Sequence, residues 1–127
     1  MGQSNIKGDI AELAVAKRFL ELNYWVSKPF GDDTPYDLII DLNGSLKRVQ
    51  VKYVTPVNDT LPIRMLSSTG VIYNSTVDII AVYNPMNGKV YIINVGDFNN
   101  SNLLSLRLNK TKNNQKIGIH LAENYEL

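Results

Sequence analysis

Two runs of alternating apolar and polar residues, PYDLIIDL and SLKRVQVKY, are joined by the dipeptide Asn43-Gly44. A two-residue type I′ turn requires positive φ at both central positions, and Asn followed by Gly adopts that conformation most readily. The pattern therefore predicts a β-hairpin over residues 35–53 in which Leu38 pairs with Val49. This turn fixes the pairing of every other residue in the hairpin, unless a β-bulge interrupts it.

The predicted register divides the hairpin side chains between two faces, because successive residues of a strand point to opposite sides. The first face is mostly apolar and is expected to cover a core; it carries Tyr36, Leu38, Ile40, Leu42, Val49, Val51 and Tyr53. The second face is mixed and carries Asp37, Ile39, Asp41, Leu46, Arg48, Gln50 and Lys52. Asp37 opposes Gln50 in this register and Lys52 is a neighbour, so these residues are expected to form one polar cluster. An ordinary solvated sheet face would show the same pattern.

The composition of the 127-residue chain is that of a globular protein, with 44% hydrophobic and 20% charged residues. This length predicts a single domain over residues 1–127 with a buried core. The lack of cysteine excludes disulfides, thiolate-bound zinc and thiol catalysis. No apolar run is long enough to cross a bilayer, and the N-terminus lacks the apolar core of a signal peptide. We therefore expect a cytoplasmic protein without a membrane partner.

Charge is distributed unevenly along the chain, although the net charge is only +1. The segment between Asp97 and Glu123 contains no acidic residue but several basic ones, and the segment between Asp41 and Asp59 also lacks acids. Acidic residues concentrate in residues 9–41. A basic margin around an acidic spot is typical of a metal-dependent enzyme that acts on a polyphosphate, and a solvated lysine-rich tail would give the same pattern.

Residues 5–23 are predicted to form an α-helix, because apolar residues recur at helical spacing. The expected packing stripe of this helix consists of Ile6, Ile10, Leu13, Ala14 and Leu20. Ser4 or Asn5 is expected to cap the start of the helix, and Asn23 is expected to end it. Glu12 lies near the packing stripe.

The rest of the chain predicts mostly strands. YWVSKPF is expected to form a first short strand, and LPIRMLSST an edge strand, since Pro62 cannot donate a hydrogen bond to a neighbour. VDIIAVY and KVYIINV are predicted to be two further strands joined by the turn NPMNG. Residues 97–104 are expected to form a short helix. These elements together predict an α/β (α+β) fold.

The order of these elements resembles the PD-(D/E)XK nuclease superfamily. The segment GDIAE ends at Glu12 on the helix, PYD ends at Asp37, and QVK supplies Gln50 and Lys52 on the next strand. More narrowly, the chain is similar to the small endonucleases associated with group I introns and to the archaeal-type Holliday junction resolvases. The likeness to the intron type extends through VDIIAVYNPMNGKVYIINV and SLRLNKTKNNQ and covers most of the chain. It implies a restriction-endonuclease-like core, with an N-terminal helix packed on a mixed β-sheet that has a central β-hairpin.

This resemblance implies a metal-dependent DNA endonuclease that hydrolyses phosphodiester bonds, with duplex or branched DNA as its partner. Mg²⁺ prefers oxygen ligands and needs only one or two carboxylates, so Asp37 is the candidate direct ligand and Glu12 the second carboxylate, direct or through water. The family counterpart of the Val51 carbonyl is a further ligand. Lys52 would position or activate the attacking water and stabilise the developing negative charge. We expect Mn²⁺ to substitute for Mg²⁺.

Gln50 departs from the superfamily pattern, which usually has Asp or Glu at this position. An amide offers a carbonyl oxygen but no charge, so the metal affinity of the site should be lower. Besides a homing-type endonuclease, three alternatives stay open for the function. The chain could be a Holliday junction resolvase, a catalytically inactive nuclease-like module that binds DNA, or a plain structural domain without DNA affinity.

Contacts to the DNA backbone are expected from basic and aromatic residues outside the metal site. The candidates are Arg64, Tyr73, Arg107, Lys110, Lys112 and Lys116. His120 is expected to serve packing or phosphate contact rather than base catalysis. One small domain covers few base pairs, so a homo-oligomer, either a dimer or a tetramer, is expected for a specific duplex cut.

Overall fold

The computed structural model of the protein describes residues 3–31, 33–65, 76–98, 102–109 and 119–127. Within these ranges the chain forms one α-helix, α1 (Gln3–Glu21), and eight strands. The strands are β1 (Trp25–Ser27), β2 (Leu38–Leu42), β3 (Ser45–Tyr53), β4 (Thr60–Arg64), β5 (Ile79–Asn84), β6 (Lys89–Asn94), β7 (Leu103–Arg107) and β8 (His120–Leu121). No helix in these ranges is long and apolar enough to span a membrane.

The strands form two sheets. The first sheet has five strands in the order β1-β2-β3-β5-β6; β3 and β5 run parallel, and the other neighbours run antiparallel. The second sheet has three strands in the order β4-β7-β8, of which β7 and β8 run parallel. The prediction of a helix on a mixed sheet with the hairpin β2–β3 at its centre is confirmed. Pro62 lies in β4 at a sheet edge, as predicted, but this edge belongs to the separate second sheet.

The turn between β2 and β3 has the backbone conformation that its sequence predicts. Asn43 and Gly44 have φ angles of 55° and 95°, so both central residues occupy the positive-φ region that a type I′ turn requires. Leu38 pairs with Val49, and the predicted register is confirmed along the whole of β2. The Gly44 N–H also donates a hydrogen bond of 2.6 Å to Asp41 Oδ1, which stabilises the turn.

α1 ends in a Schellman motif at Asn23, which confirms the predicted end of the helix. Asn23 has a φ of 67°, and its N–H donates to the Leu20 carbonyl at 2.9 Å. The Tyr24 N–H donates to the Phe19 carbonyl at 3.0 Å, as the second hydrogen bond of this motif. The Phe19 and Tyr24 rings pack edge to face with their centroids 6.2 Å apart, which supplies the apolar contact that accompanies such an end.

Two other predicted boundaries are wrong. α1 already begins at Gln3, so Ser4 and Asn5 lie inside the helix rather than capping it. Residues with cap chemistry also fit the first turn, where N–H groups have no acceptor within the helix. The short helix predicted for residues 97–104 is instead a 3₁₀-helix over Val95–Phe98, and β7 follows it. β7 buries every second residue, which is the period of a strand and not of a helix.

The face of α1 that packs on the first sheet is not the predicted stripe. Ala11, Val15 and Phe19 form this face and are at most 2% exposed. Most of the predicted stripe lies on the opposite face and is 43–71% exposed; these residues are Ile6, Ile10, Leu13 and Leu20. α1 therefore carries apolar residues on two opposite faces. Small residues such as Ala11 allow the helix axis to approach the sheet closely, and helical spacing alone could not distinguish the two faces.

The first sheet is covered on both sides. On the α1 side the core consists of Val15, Phe19, Leu38, Ile40, Val49, Ile79, Ala81 and Val90. On the other side, alternate residues of β5 and β6 pack against the second sheet, in a core of Leu61, Ile63, Met65, Val77, Ile80, Val82, Tyr91, Ile93, Val95, Leu104, Leu106 and Ala122. β5 is buried on both faces, as expected of a strand in the middle of a layered fold, and it pairs with β3 along residues 49–53. The end of β3 is thereby held firmly in place.

Arg48 and Asp78 connect β3 to the segment that precedes β5. The Asp78 carboxylate accepts hydrogen bonds from Arg48 Nε at 3.0 Å, Arg48 Nη2 at 3.1 Å and the Arg48 backbone N–H at 2.8 Å. The Asp78 N–H donates in turn to the Arg48 carbonyl at 2.9 Å. The hydrogen bond from the Arg48 side chain holds the pKa of the Asp78 carboxyl below its ordinary value, although burial opposes this.

We expect Asp78→Ala to lower the free energy of unfolding by about 1–2 kcal/mol at neutral pH, because it removes charge-assisted hydrogen bonds that are partly screened by solvent. A lowered carboxyl pKa stabilises the fold above the unfolded-state pKa, and this contribution is lost as the pH falls through the folded-state pKa. The difference between wild type and variant should therefore shrink toward acid pH. Urea unfolding across the acid range measures it, with the exposed Asp97→Ala as a control. A difference that grows toward acid pH would contradict this account.

Candidate active site

Asp37 stands directly before β2 and hydrogen-bonds to β3 with both its backbone and its side chain. Its N–H donates to the Val49 carbonyl at 2.8 Å, and its Oδ2 accepts the Val51 N–H at 2.8 Å. The ladder of β2 and β3 ends at the Leu38–Val49 pair, so the predicted pairing of Asp37 with Gln50 is wrong. Beyond the Leu38–Val49 pair, the Asp37 carboxylate oxygen accepts the hydrogen bond that a backbone carbonyl of β2 would accept in a continued ladder. Asp37 is therefore fixed against the backbone of β3.

The alternation of side chains breaks at Asp37. Leu38 is buried in the core on the α1 side, whereas Tyr36 packs against the core shared with the second sheet. Residues two apart in a regular strand share a face, so the prediction that Tyr36 and Leu38 do so is wrong. This local break directs the Asp37 carboxylate toward the edge of β3 rather than onto either face of the sheet.

The end of β3 supplies the backbone and side-chain groups opposite Asp37. The N–H and carbonyl of one strand residue point toward the same neighbour, so the Val51 carbonyl lies on the Asp37 side of β3. Gln50 pairs with Ile80 and Lys52 pairs with Val82, and both partners are buried toward the second sheet. The half-buried side chains of Gln50 and Lys52 therefore lie on that side, as the hairpin register predicts.

Glu12 approaches the same position from the α1 side, where it is held by a lysine. Lys28 Nζ and Glu12 Oε1 form an ion pair of 2.9 Å, in which the Glu12 side chain is 22% and the Lys28 side chain 70% exposed. Sequence reasoning missed Lys28. The position of Lys28 follows from the pairing of β1 with β2. Ser27 pairs with Ile39, so Lys28 leaves the sheet beside the start of β2.

Burial and the charged groups around Asp37 shift the pKa of its carboxyl. Burial raises the pKa of the Asp37 carboxyl above its ordinary value, and the Glu12 carboxylate raises it further. The Val51 N–H, Lys28 and Lys52 act in the opposite direction without restoring the ordinary pKa. Glu12 on one side of the sheet and Lys52 on the other both act on Asp37, because no strand separates the two sides where β2 ends.

Lys52 is less basic than an ordinary lysine. Burial is the main cause of its lowered pKa, and the Arg64 guanidinium lowers it further, whereas Asp37 opposes the shift. Arg64 is at the end of β4, so the second sheet brings one predicted DNA-contact residue close to Lys52. Arg107 pairs with Thr60 at the opposite end of β4 and is therefore away from this cluster.

Of the remaining predicted residues the structure describes only His120. Tyr73, Lys110, Lys112 and Lys116 lie outside the residues that the structure describes. His120 is packed between two aromatic rings, with ring centroids 5.4 Å from Phe98 and 6.3 Å from Tyr125, and its Nδ1 is 3.2 Å from the Tyr125 hydroxyl. These contacts agree with the packing role expected for His120.

The candidate metal ligands of the cluster are all oxygen atoms. Glu12 and Asp37 contribute carboxylates, Val51 a backbone carbonyl and Gln50 an amide oxygen, a set that suits a hard divalent cation such as Mg²⁺. In the described ranges, no group of three or more His, Cys, Asp or Glu side chains could hold a metal ion. A cation at this position would therefore complete its shell with neutral oxygens, water or a substrate phosphate.

Comparisons with known proteins identify the family of the chain. The model of a family described as PD-(D/E)XK endonuclease matches residues 2–127. Among solved structures, a bacterial homing endonuclease, I-Ssp6803I, is similar with a TM-score of 0.77 and 26% sequence identity, over 99% of this chain and 88% of that one. No curated protein sequence matches the chain. Because the family match spans nearly the whole chain, the protein belongs to the PD-(D/E)XK endonuclease family and is a nuclease.

Proposed function

We propose that the protein is a Mg²⁺-dependent DNA endonuclease whose site consists of Glu12, Asp37, Gln50, Lys52 and the Val51 carbonyl. The observation that carries this proposal is the position of the Asp37 carboxylate, which is fixed by the Val51 N–H at 2.8 Å and influenced by both Glu12 and Lys52. The similarity to a homing endonuclease over nearly the whole chain favours duplex DNA as the substrate. A four-way junction is the alternative substrate.

Each residue of the proposed site has a task that follows from its surroundings. A bound divalent cation would polarise the scissile phosphodiester and offset the charge that develops during hydrolysis. Asp37 would hold that cation in one place, since hydrogen bonds to β3 leave its carboxylate little freedom. Lys52 would orient the attacking water, and its ammonium group would release a proton more readily than that of an ordinary lysine, because burial lowers its pKa.

Gln50 gives the site less negative charge than a third carboxylate would. Glu12 and Asp37 are the acids of the cluster, and Lys28 and Lys52 are the neighbouring lysines. Without a cation, these lysines and the nearby Arg64 guanidinium offset the two negative charges. The amide oxygen of Gln50 would add a neutral ligand, so we expect weak cation binding that strengthens when a DNA phosphate enters the site.

Lys28 would compete with the cation for Glu12. In the structure the Glu12 carboxylate already has a cationic partner at 2.9 Å, and Lys28 is mostly exposed. A divalent cation that took Glu12 as a ligand would displace Lys28 and leave its ammonium group without this carboxylate partner. We propose that Lys28 contacts a DNA phosphate in that state, since an exposed ammonium group binds phosphate as a point charge.

Cleavage assays test the proposed catalytic residues. We expect Asp37→Ala and Lys52→Ala to reduce Mg²⁺-dependent cutting of supercoiled plasmid roughly 100-fold or more, because each removes a group that acts on the reacting phosphate. Asp41→Asn and Lys47→Ala, on the same two strands outside the cluster, should cut at the wild-type rate. A four-way junction tested in parallel identifies the preferred substrate. Site variants that are folded by circular dichroism and cut as fast as wild type would refute the assignment.

Stability measurements test the charge on Asp37 independently of cleavage. A raised carboxyl pKa means that ionisation of Asp37 opposes folding at neutral pH, and that this penalty disappears as the pH falls below the unfolded-state pKa. Asp37→Asn should therefore be at least as stable as wild type without divalent cations, with its advantage shrinking toward acid pH. Added Mg²⁺ should raise the melting temperature of the wild type but not of the variant. An equal Mg²⁺-induced rise in both would contradict the role of Asp37 as ligand.

Binding measurements test the proposed exchange at Lys28. Without DNA, Lys28→Met should bind Mn²⁺ several-fold more tightly than wild type, because Glu12 no longer has a competing cation. With DNA and Ca²⁺, the variant should bind more weakly, and the slope of log K against log salt should fall by about 0.9, which corresponds to one lost phosphate contact. Lys89→Met removes a comparable exposed pair, 3.1 Å from Glu126, and should change neither quantity. Unchanged or weaker Mn²⁺ binding by Lys28→Met would refute the exchange.

A further inference from the structure

Gly8 lies on the face of α1 that is directed at the first sheet, yet this residue is exposed. It is three residues before Ala11 and seven before Val15, so all three share one face of the helix. Ala11 and Val15 are fully buried, whereas residues 5–10 are exposed. The first two turns of α1 therefore extend beyond the part of the sheet that the helix covers.

The fold gives no steric reason for a glycine at this position. A Cβ added to Gly8 would meet no atom of the described residues within 4 Å, apart from the neighbouring turns of the helix backbone. Gly8 also has no positive φ that other residues would avoid. Glycine inside a helix is less favourable than alanine, because it loses more backbone freedom on folding. Stability alone would therefore favour alanine, and the missing side chain needs another explanation.

The open space beside Gly8 lies between two parts of the candidate active site. Before Gly8 in the helix, Lys7 Nζ lies 5.7 Å from the centroid of the ring of Tyr53, the last residue of β3. One turn after Gly8, Glu12 acts on the Asp37 carboxylate. Gly8 is thus next to the gap that opens along β3 where β2 ends.

We propose that Gly8 gives a DNA strand room to pass between α1 and the end of β3, and that Lys7 contacts a phosphate next to the scissile one. This inference rests on the proposed function, because it takes DNA as the substrate of this site. A side chain at position 8 would occupy the space through which the sugar–phosphate backbone reaches the cation ligands. Gly8 and Lys7 are therefore positioning residues that act on the bound strand.

The charges at the border of the gap suit a polyanion. Lys7 lies on the Tyr53 side, and Lys28 lies on the opposite side with Glu12. The Tyr53 ring holds the Lys7 ammonium group without cancelling its charge, since a cation–π contact brings no counter-charge. Asp9 is about 100° from Gly8 around the helix, and it acts on Lys28. The phosphate contact is accordingly expected at Lys7.

Substitutions at Gly8 separate stability from DNA binding. Gly8→Ala should raise the melting temperature by about 2–4 °C, because alanine favours the helix and its Cβ has space. The same variant should bind duplex DNA in Ca²⁺ several-fold more weakly than wild type, and Gly8→Leu at least tenfold more weakly. Mn²⁺ binding by both DNA-free variants should equal that of wild type, since the cation ligands are unchanged.

Gly96 supplies the matched control for these substitutions. It is an exposed glycine in the 3₁₀-helix Val95–Phe98, and an added Cβ would likewise have no atom of the described residues within 4 Å. It follows β6 at the end of the sheet where β5 begins, whereas Tyr53 pairs near the other end of β5. Gly96→Ala and Gly96→Leu should leave the DNA affinity unchanged.

Salt titrations of DNA binding test the contact at Lys7. Lys7→Met should lower the slope of log K against log salt by about 0.9, which corresponds to one lost phosphate contact. Tyr53→Leu should weaken binding nearly as much, and the double variant should bind about as well as Lys7→Met, because the ring acts through the lysine. Lys17→Met removes a lysine with a 78% exposed side chain farther along α1 and should keep the wild-type slope.

The outcomes distinguish this inference from the proposed function. A wild type that binds neither duplex DNA nor a four-way junction in Ca²⁺ would refute the proposed function, and this inference with it. If wild type binds DNA, an unchanged affinity of Gly8→Leu or an unchanged salt slope of Lys7→Met would overturn this inference alone. A Gly8→Ala variant less stable than wild type would also overturn it, because glycine would then serve the fold.

Discussion

The hydrogen bond from the Val51 N–H to the Asp37 carboxylate determines how the candidate site is built. A side-chain oxygen continues the ladder where the backbone of β2 turns away from β3. This has three consequences: the carboxylate is fixed, the side-chain alternation breaks, and the Val51 carbonyl faces Asp37 rather than another strand. The gap left by β2 lets Glu12 from the α1 side and Lys52 from the other side influence one carboxylate. A fully paired strand would have kept them apart.

The sequence predicted those parts of the site that depend on local geometry. Asn43-Gly44 determined the register of β2 and β3, so the shared face of Gln50 and Lys52 followed from a turn of two residues. Asp37 was predicted as a member of the cluster, but its position was not, because the break in alternation arises from a bond to a residue fourteen positions away. Lys28 was missed for the same reason, since its contact with Glu12 joins β1 to α1 across the site.

The packing of α1 could not be predicted from its own sequence, because the helix has two apolar faces. Ala11 and Val15 are smaller than Ile10 and Leu13 on the opposite face, yet the face with Ala11 and Val15 is the buried one. Small residues such as Ala11 let the helix backbone approach the sheet closely, and Val15 and Phe19 fill the space on either side. The larger side chains of Ile10, Leu13 and Leu20 are left exposed on the opposite face.

Glu12 lies between the buried face and the exposed apolar face of α1. One face of the helix anchors it to the sheet through Ala11 and Val15, and the opposite face carries Leu13. Glu12 lies between them and is tied to Lys28 at 2.9 Å. Lys28, Lys52 and the nearby Arg64 offset the charges of Glu12 and Asp37, so α1 packs on the sheet without a bound cation. Burial already raises the pKa of Asp37, and a third carboxylate in place of Gln50 would add charge repulsion. The neutral amide therefore favours a site that is assembled before a cation or DNA binds.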